Sequence, residues 1–289
     1  MNASALLRNV PNSFAQWGRA LFRAPQMRVV RWPTSAYCAV MLMLVVVLAS
    51  MFLLDAAASS WARGLPPGFI GLFEWITDFG LSGWFLFPFG FVLLCLAFIT
   101  SPVWSPKTQA VVAMLTVRFG YLFLAIGVPG LFVAIIKGMI GRARPYVGPQ
   151  DDPFAYIPFI WKAEYASLPS GPSTTAVAAA VAIGAIWPRA RGVIWIYALL
   201  IMFSRVVVLE HHPSDVLAGA LVGAVGADLV RRWFAARQLL FSASDLTASP
   251  GPSFSQIWLA ITEIVSRSEE RRVGKECRSL CRSRWSPYH

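Results

Sequence analysis

Charge is scarce in this chain. Only 13% of its 289 residues are Asp, Glu, Lys or Arg, about half the share usual in soluble domains. That excludes a disordered chain and argues against a soluble enzyme. Histidine is scarcer still, with three in all and two of them adjacent at His211 and His212. The four cysteines have no paired spacing, so there is neither a disulfide framework nor a zinc pattern. Cys38 and Cys95 lie inside apolar runs and read as small buried residues. Acidic residues are few, 14 against 25 basic, for a formal charge of +11. In a soluble protein that excess would point to nucleic acid. Here hydrophobic residues make up 57%, so the bases read as membrane-orienting charges and no nucleic-acid partner is expected.

Residues 267–289 stand apart. The string RSEERRVGKECRSLCRSRWSPYH resembles the conceptual translation of a DNA-sequencing adapter, with SLC inserted before its terminal part, and is set aside from fold reasoning. It carries seven Lys and Arg and three Glu, so without it the charge falls by four to +7. His289, Cys277 and Cys281 leave with it.

Six apolar runs have lengths suited to a bilayer: Ala36–Leu54, Leu81–Pro106, Phe119–Ile136, Ala176–Trp187, Val193–Leu209 and Val216–Val230. A spanning helix needs about 20 mostly apolar residues. The first three qualify outright. The last three are shorter and hold small or charged residues, which suits packing inside a bundle. Gly219, Gly223 and Gly226 sit near helical spacing, where small residues let helices approach closely. The expected fold is an all-α polytopic bundle of six transmembrane helices. Arg8, Arg19, Arg23, Arg28, Arg31, Lys107, Arg189, Arg191, Arg231, Arg232 and Arg237 fall on one side if six spans alternate, which makes that side the cytoplasm. The expected organisation is a basic cytoplasmic segment over 1–35, a membrane domain over 36–237 and a cytoplasmic segment over 238–266. The 35-residue lead-in suits a signal anchor, with cleavage near Ala56–Ala58 as the alternative.

Three clusters then face outward. The first runs from Lys137 to Arg144-Pro145, the second is Pro169-Ser170-Gly171-Pro172-Ser173, and the third runs from Ser204-Arg205 to His211 and Asp215. Polar groups at the ends of apolar spans are functional candidates by default. Arg binds phosphate oxygens bidentately and Lys adds a compact charge. Ser170-Gly171 precedes a predicted helix, whose first N–H groups point at an anion. A histidine attacks phosphorus when a carboxylate holds its other nitrogen, and Asp215 lies four residues after His211. The set fits phosphoryl transfer through a phosphohistidine without a metal or cofactor, three cations supplying the charge stabilisation.

These residues resemble the type-2 phosphatidic acid phosphatase and haloperoxidase superfamily. Its motifs are Lys, six residues, then Arg-Pro; Pro-Ser-Gly-His; and Ser-Arg, five residues, His, three residues, Asp. The first and third match in full, and the resemblance covers about residues 80–235. It implies an integral membrane lipid phosphatase of the bacterial inner membrane with its site facing the periplasm. Lys137, Arg144, Ser170, Gly171 and Arg205 would hold the phosphate, His211 would be the nucleophile and Asp215 its orienting partner. The implied substrate is a lipid phosphate or polyprenyl diphosphate: phosphatidate, phosphatidylglycerol phosphate or undecaprenyl diphosphate.

The second motif departs from the pattern. Pro172 stands where the family has the histidine that protonates the leaving group. Sequence error, reduced activity and an altered substrate each account for it; a genuine Pro172 favours a diphosphate, whose leaving phosphate needs a proton less. His212 is an awkward substitute, because neighbours on a helix point about 100° apart; Glu164 and Glu210 are acids that the sequence does not place. Plainer readings stand beside these. Lys137, Arg142 and Arg144 read alone as snorkelling charges, Pro169–Ser173 as a loop and cap, and His211 with Asp215 and Arg205 as structural bonding. Arg118 reads as an interfacial anchor, Asp228 as the partner of Arg231 or Arg232, Phe69–Phe91 as an aromatic belt and Phe254–Val265 as an interfacial helix. The alternative function is a non-catalytic protein that binds lipid phosphate through the cations. A transporter fits less well, because the charges cluster at one surface rather than the midplane.

Overall fold

The computed structural model describes residues 13, 15–101, 103–147, 152–267 and 269. Among them the structure is helical, with no strand and two isolated bridges, Arg142 with Tyr156 and Phe241 with Ala248. The helices are α1 (Thr34–Leu53), α2 (Asp55–Arg63), α3 (Pro67–Asp78), α4 (Gly83–Ile99), α5 (Pro106–Ile140), α6 (Gly171–Ile186), α7 (Arg191–Val207) and α8 (Pro213–Ala236). Five stretches are long and apolar enough to cross a membrane: α1, the run Pro67–Ile99 that holds α3 and α4, α5, Pro188–Val207 and α8. The sixth apolar helix, α6, has 16 residues, about 24 Å at 1.5 Å per residue, short of a hydrocarbon core of about 30 Å. The six expected spans are thus five full-length stretches and one short helix.

The chain forms two compact units. The larger comprises Pro25–Phe89 and Gly120–Ala248; the smaller takes the described residues of Met1–Ala24, Gly90–Phe119 and Ser249–His289. In the larger unit α6 is central. Eleven of its sixteen residues are buried, and it packs against α7 and α8. Its Ala-rich face meets Ala198, Ile201 and Ala220. A Cβ at Gly219 would overlap the Ser170 carbonyl oxygen, and one at Gly223 would lie 2.5 Å from the Thr174 carbonyl oxygen. Only glycine permits that approach. It lets Thr174 Oγ1 donate across to the Gly219 carbonyl at 3.0 Å. By contrast α1 keeps most of its apolar side chains exposed, as lipid contact requires. Cys38 is exposed there and Cys95 is half-buried, not the buried positions expected: in a bilayer an apolar run is covered by lipid as readily as by protein.

Asp228 pairs with both Arg231, at 2.9 Å, and Arg232, at 2.6 Å. In the smaller unit Arg118 is buried and donates to the Ser249 carbonyl. Residues 254–267 are helical, and Glu263 accepts from Ser105 N at 2.9 Å and Ser105 Oγ at 2.6 Å.

Candidate active site

The three clusters meet within the larger unit because four helix ends are shaped locally to bring them there. α5 ends at Ile140, and Gly141 follows at φ 65°. A Cβ at Gly141 would collide with the Ile157 carbonyl, so glycine is required at this left-handed helix stop. The chain then pairs with 155–157, Ala143 N donating to Ala155 O at 2.9 Å. α7 ends at Val207, and Leu209 turns the chain at φ 56°. The N–H groups of Glu210 and His211 both donate back to the Arg205 carbonyl at 3.2 Å. α8 starts with Pro213, a residue suited to the first helical position. The Asp215 carboxylate reaches back to cap the His212 N–H at 2.9 Å. Ser170 caps α6 and donates its own N–H to the Asp215 carbonyl at 3.0 Å.

The centre of this assembly is Arg142, which is fully buried. Its Nη1 donates to Asp215 Oδ1 at 2.6 Å and Ser214 Oγ at 2.7 Å; its Nη2 donates to Asp55 Oδ2 at 2.7 Å. This overturns the snorkelling reading of Arg142. Burial opposes its charge, but Asp215 and Asp55 outweigh the burial and raise its pKa.

Arg144 and Arg205 converge on one atom, Glu210 Oε2, with the Arg205 Nη2 contact at 3.3 Å. Arg205 Nη1 also donates to Thr77 Oγ1 at 2.7 Å, while its buried Nε has no hydrogen-bond partner among the described residues. Lys137 is half-buried at the end of α5; its carbonyl accepts from Gly141 N at 3.0 Å, and its ammonium makes no hydrogen bond or ion pair among the described residues. His211 is 3% exposed, and its Nδ1 lies 3.9 Å from Asp215 Oδ2 without a hydrogen bond. That is longer than a hydrogen bond. Burial lowers the His211 pKa to about 4, with Asp215 pulling upward and Arg205 and Arg144 pushing further down. The ring is therefore neutral at physiological pH.

Ser170 is buried, and its Oγ accepts from Ser173 N at 3.4 Å and Ser173 Oγ at 2.9 Å. The space beside Gly171 is open. Pro172 is half-buried in the first turn of α6. His212 Nδ1 lies 3.3 Å from Ser59 Oγ. Glu164 gives only its carbonyl, to Arg144 N at 2.9 Å. Glu210 is the acid brought to the cations.

Sequence reasoning passed over Asp55, Thr77, Ser167 and Ser214. Ser167 Oγ donates to Asp215 Oδ2 at 2.6 Å. Asp55 had a usable signal, since it is the charge that closes the first long apolar run. Thr77 and Ser167 had none. Beside α8 an apolar groove of about 650 Å³ is lined by Met43, Val177, Leu199, Met202, Leu217 and Leu221, among others.

Comparison with known proteins identifies the family. The family model of the PAP2 superfamily matches residues 118–239. A lipid A 1-phosphatase from Rhizobium johnstonii is 32% identical over 204 residues, 68% of this chain and 79% of the relative. One from Rhizobium etli is 31% identical over 182 residues, 60% of this chain and 74% of the relative. The solved structure of a transmembrane PAP2-type phosphatidylglycerolphosphate phosphatase from Bacillus subtilis aligns with a TM-score of 0.44 and 22% identity, over 67% of this chain and 93% of that one. The family match takes in all three clusters, and the chain belongs to the PAP2 superfamily.

Proposed function

We propose that this chain is a membrane phosphatase that hydrolyses a lipid phosphate through a phosphohistidine on His211. The observation that carries the reading is the convergence of Arg144 and Arg205 on a single carboxylate oxygen next to a buried, neutral histidine. That is an anion seat, and the Glu210 carboxylate stands where a phosphate oxygen would lie. A phosphate displacing it meets both guanidinium groups, the Lys137 ammonium, and the Ser170 hydroxyl and Gly171 N–H at the start of α6.

Asp215 faces Nδ1, so Nε2 is the free nitrogen of the ring. Its lone pair attacks phosphorus, the bond from phosphorus to the ester oxygen breaks, and the oxygen departs as an anion that takes its proton from water. Water then attacks the phosphohistidine, the P–N bond breaks, and phosphate leaves. Asp215 balances the positive charge on the ring during both steps. The cations stabilise the charge on the transferring group.

Pro172 gives no proton to the departing oxygen. The substrates that tolerate this best leave as stabilised anions: a lipid diphosphate, which releases phosphate, or a phosphate on an anomeric carbon. The relatives named lipid A 1-phosphatase favour the second, since an anomeric alkoxide is a better leaving group than the glycerol alkoxide of phosphatidate. The apolar groove starts at Leu217, two residues past Asp215, and suits the tail of such a lipid. The basic flanks favour a periplasmic site. Cysteine labelling from outside intact cells would then reach residues 148–162, of which 148–151 lie outside the described residues, and leave Arg189–Arg191 unlabelled, and the reverse pattern overturns that orientation.

The test is phosphate release by the purified protein from lipid A 1-phosphate, phosphatidate and undecaprenyl diphosphate, repeated with His211→Ala. Turnover lost in His211→Ala supports the reading, and turnover that survives refutes it. The second reading, a lipid-phosphate-binding protein without catalysis, is favoured by Pro172 and by the unmade His211–Asp215 hydrogen bond. Phosphate binding with no turnover of any of the three lipids would select it.

A further inference from the structure

We infer that Asp55 and Arg142 form a buried charge couple that holds the Asp215 carboxylate in register with His211, which makes Arg142 a positioning residue for the reaction. The inference rests on the function proposed above, but the geometry behind it is independent of any substrate.

Arg142 has five N–H donors, and the fold uses all five. Nε donates to Pro153 O at 3.0 Å, Nη1 to Ser214 Oγ and Asp215 Oδ1, and Nη2 to Asp55 Oδ2 and to Pro153 O at 2.8 Å. Its side chain is 0% exposed. Nothing is left for a phosphate, so Arg142 does not do the work of Arg144, two residues on. What it grips is the Asp215 carboxylate. Oδ1 is held by the guanidinium, while Oδ2 takes Ser167 Oγ and the His212 N–H and is the oxygen nearest His211 Nδ1. Turning that carboxylate part-way about its last bond would carry Oδ2 off the His211 ring, and the contact at Oδ1 resists it.

Asp55 explains why the couple has two acids. An isolated guanidinium beside Asp215 would cancel the charge that the ring needs when Nε2 bonds to phosphorus and the ring becomes a cation. Asp55 is itself 0% exposed, and it also accepts the Ser214 N–H at 2.9 Å. It supplies the counter-charge to Arg142. The three groups therefore sum to one negative charge, carried on the side of Asp215 that faces His211. Asp55 lies 87 residues before Arg142, so the couple also ties the end of the first span to the site.

The experiment compares Asp55→Asn and Arg142→Lys with wild type. Lysine keeps the charge but not the fork, and asparagine keeps the shape but not the charge. Each variant is expected to lose about 10- to 100-fold in kcat, the range typical when a group that orients a reacting side chain is removed. KM and competitive inhibition by inorganic phosphate should stay within about threefold, because Arg144, Arg205 and Lys137 are untouched. The double variant Asp55→Asn/Arg142→Gln removes both charges together and keeps the comparison available if a single variant fails to fold. A folded variant with kcat within twofold of wild type overturns the inference. So does an equal loss in kcat and in phosphate inhibition, which would assign the couple to shaping the cation seat. If wild type turns over no lipid phosphate, the phosphatase reading fails, and nitrogen NMR of the His211 ring still decides the positioning. Wild type should show the Nδ1–H tautomer and Arg142→Lys a mixture, whereas an unchanged tautomer overturns the inference.

Discussion

Replacing Pro172 by histidine asks whether the missing proton limits the reaction. Pro172 lies in the first turn of α6, just after the Ser170 cap, where a backbone N–H has no intrahelical partner. Removing proline there breaks no hydrogen bond. The cost is the added freedom of the unfolded chain, about 0.4–1 kcal/mol. The position also faces the right neighbours: a Cβ on Gly80 would lie 3.1 Å from Pro172 Cβ. Gly80 N donates to the Thr77 carbonyl at 2.9 Å, and Thr77 Oγ1 holds Arg205. A histidine at 172 thus starts beside the cation seat. General acid catalysis is worth about 10²–10⁴-fold, roughly 3–5 kcal/mol at 1.36 kcal/mol per decade. Pro172→His is therefore expected to raise phosphatidate turnover by about 10²-fold or more. An aryl phosphate, whose leaving group needs no proton, should gain less than about tenfold. The assay is phosphate release in detergent micelles for the two substrates side by side. High and equal activity in both proteins on both substrates would refute the reasoning, since another group would then be the acid.

Three further outcomes follow from the geometry. With the His211 pKa held down to about 4 by burial, kcat/KM should not fall through an inflection near pH 6.5 on acidification, and an inflection there would mean a solvated ring; stability should fall as pH drops from about 6.5 to 4, by about 3 kcal/mol, because the unfolded histidine takes up its proton first. Glu210→Gln removes the anion resting on Arg144 and Arg205, so inorganic phosphate should inhibit at about three- to tenfold lower concentration, and weaker inhibition would show that Glu210 builds the seat rather than fills it. Gly219→Ala drives a methyl group into the Ser170 carbonyl, which should cost about 1–3 kcal/mol of thermal stability in detergent and lower kcat by parting Ser170 from Asp215; an unchanged melting temperature would argue against the close approach of α6 and α8.

The parts of this molecule that were legible in the sequence are those whose signal is local. Apolar runs of bilayer length announce helices, because a backbone in lipid must satisfy its own hydrogen bonds. The clusters 137–145 and 204–215 are readable because each is one helix end plus the turn after it. Contacts across the chain left less trace. Arg205 meets Thr77 across 128 residues, and Asp215 meets Ser167 across 48; neither threonine nor serine is unusual enough in composition to point to its partner. Arg142 and Arg144 are the sharpest case. They are two residues apart in one non-helical segment, so no periodicity separates them, yet one is sealed between two carboxylates and the other pairs with Glu210 nearer the surface. The physical distinction lies in what each must be offered. A fully buried guanidinium needs all its donors matched and a compensating charge. The chain has only 14 acidic residues, so a carboxylate at the end of an apolar run is a rare resource. Asp55 was therefore a signal in the sequence that a cation had to be buried against it.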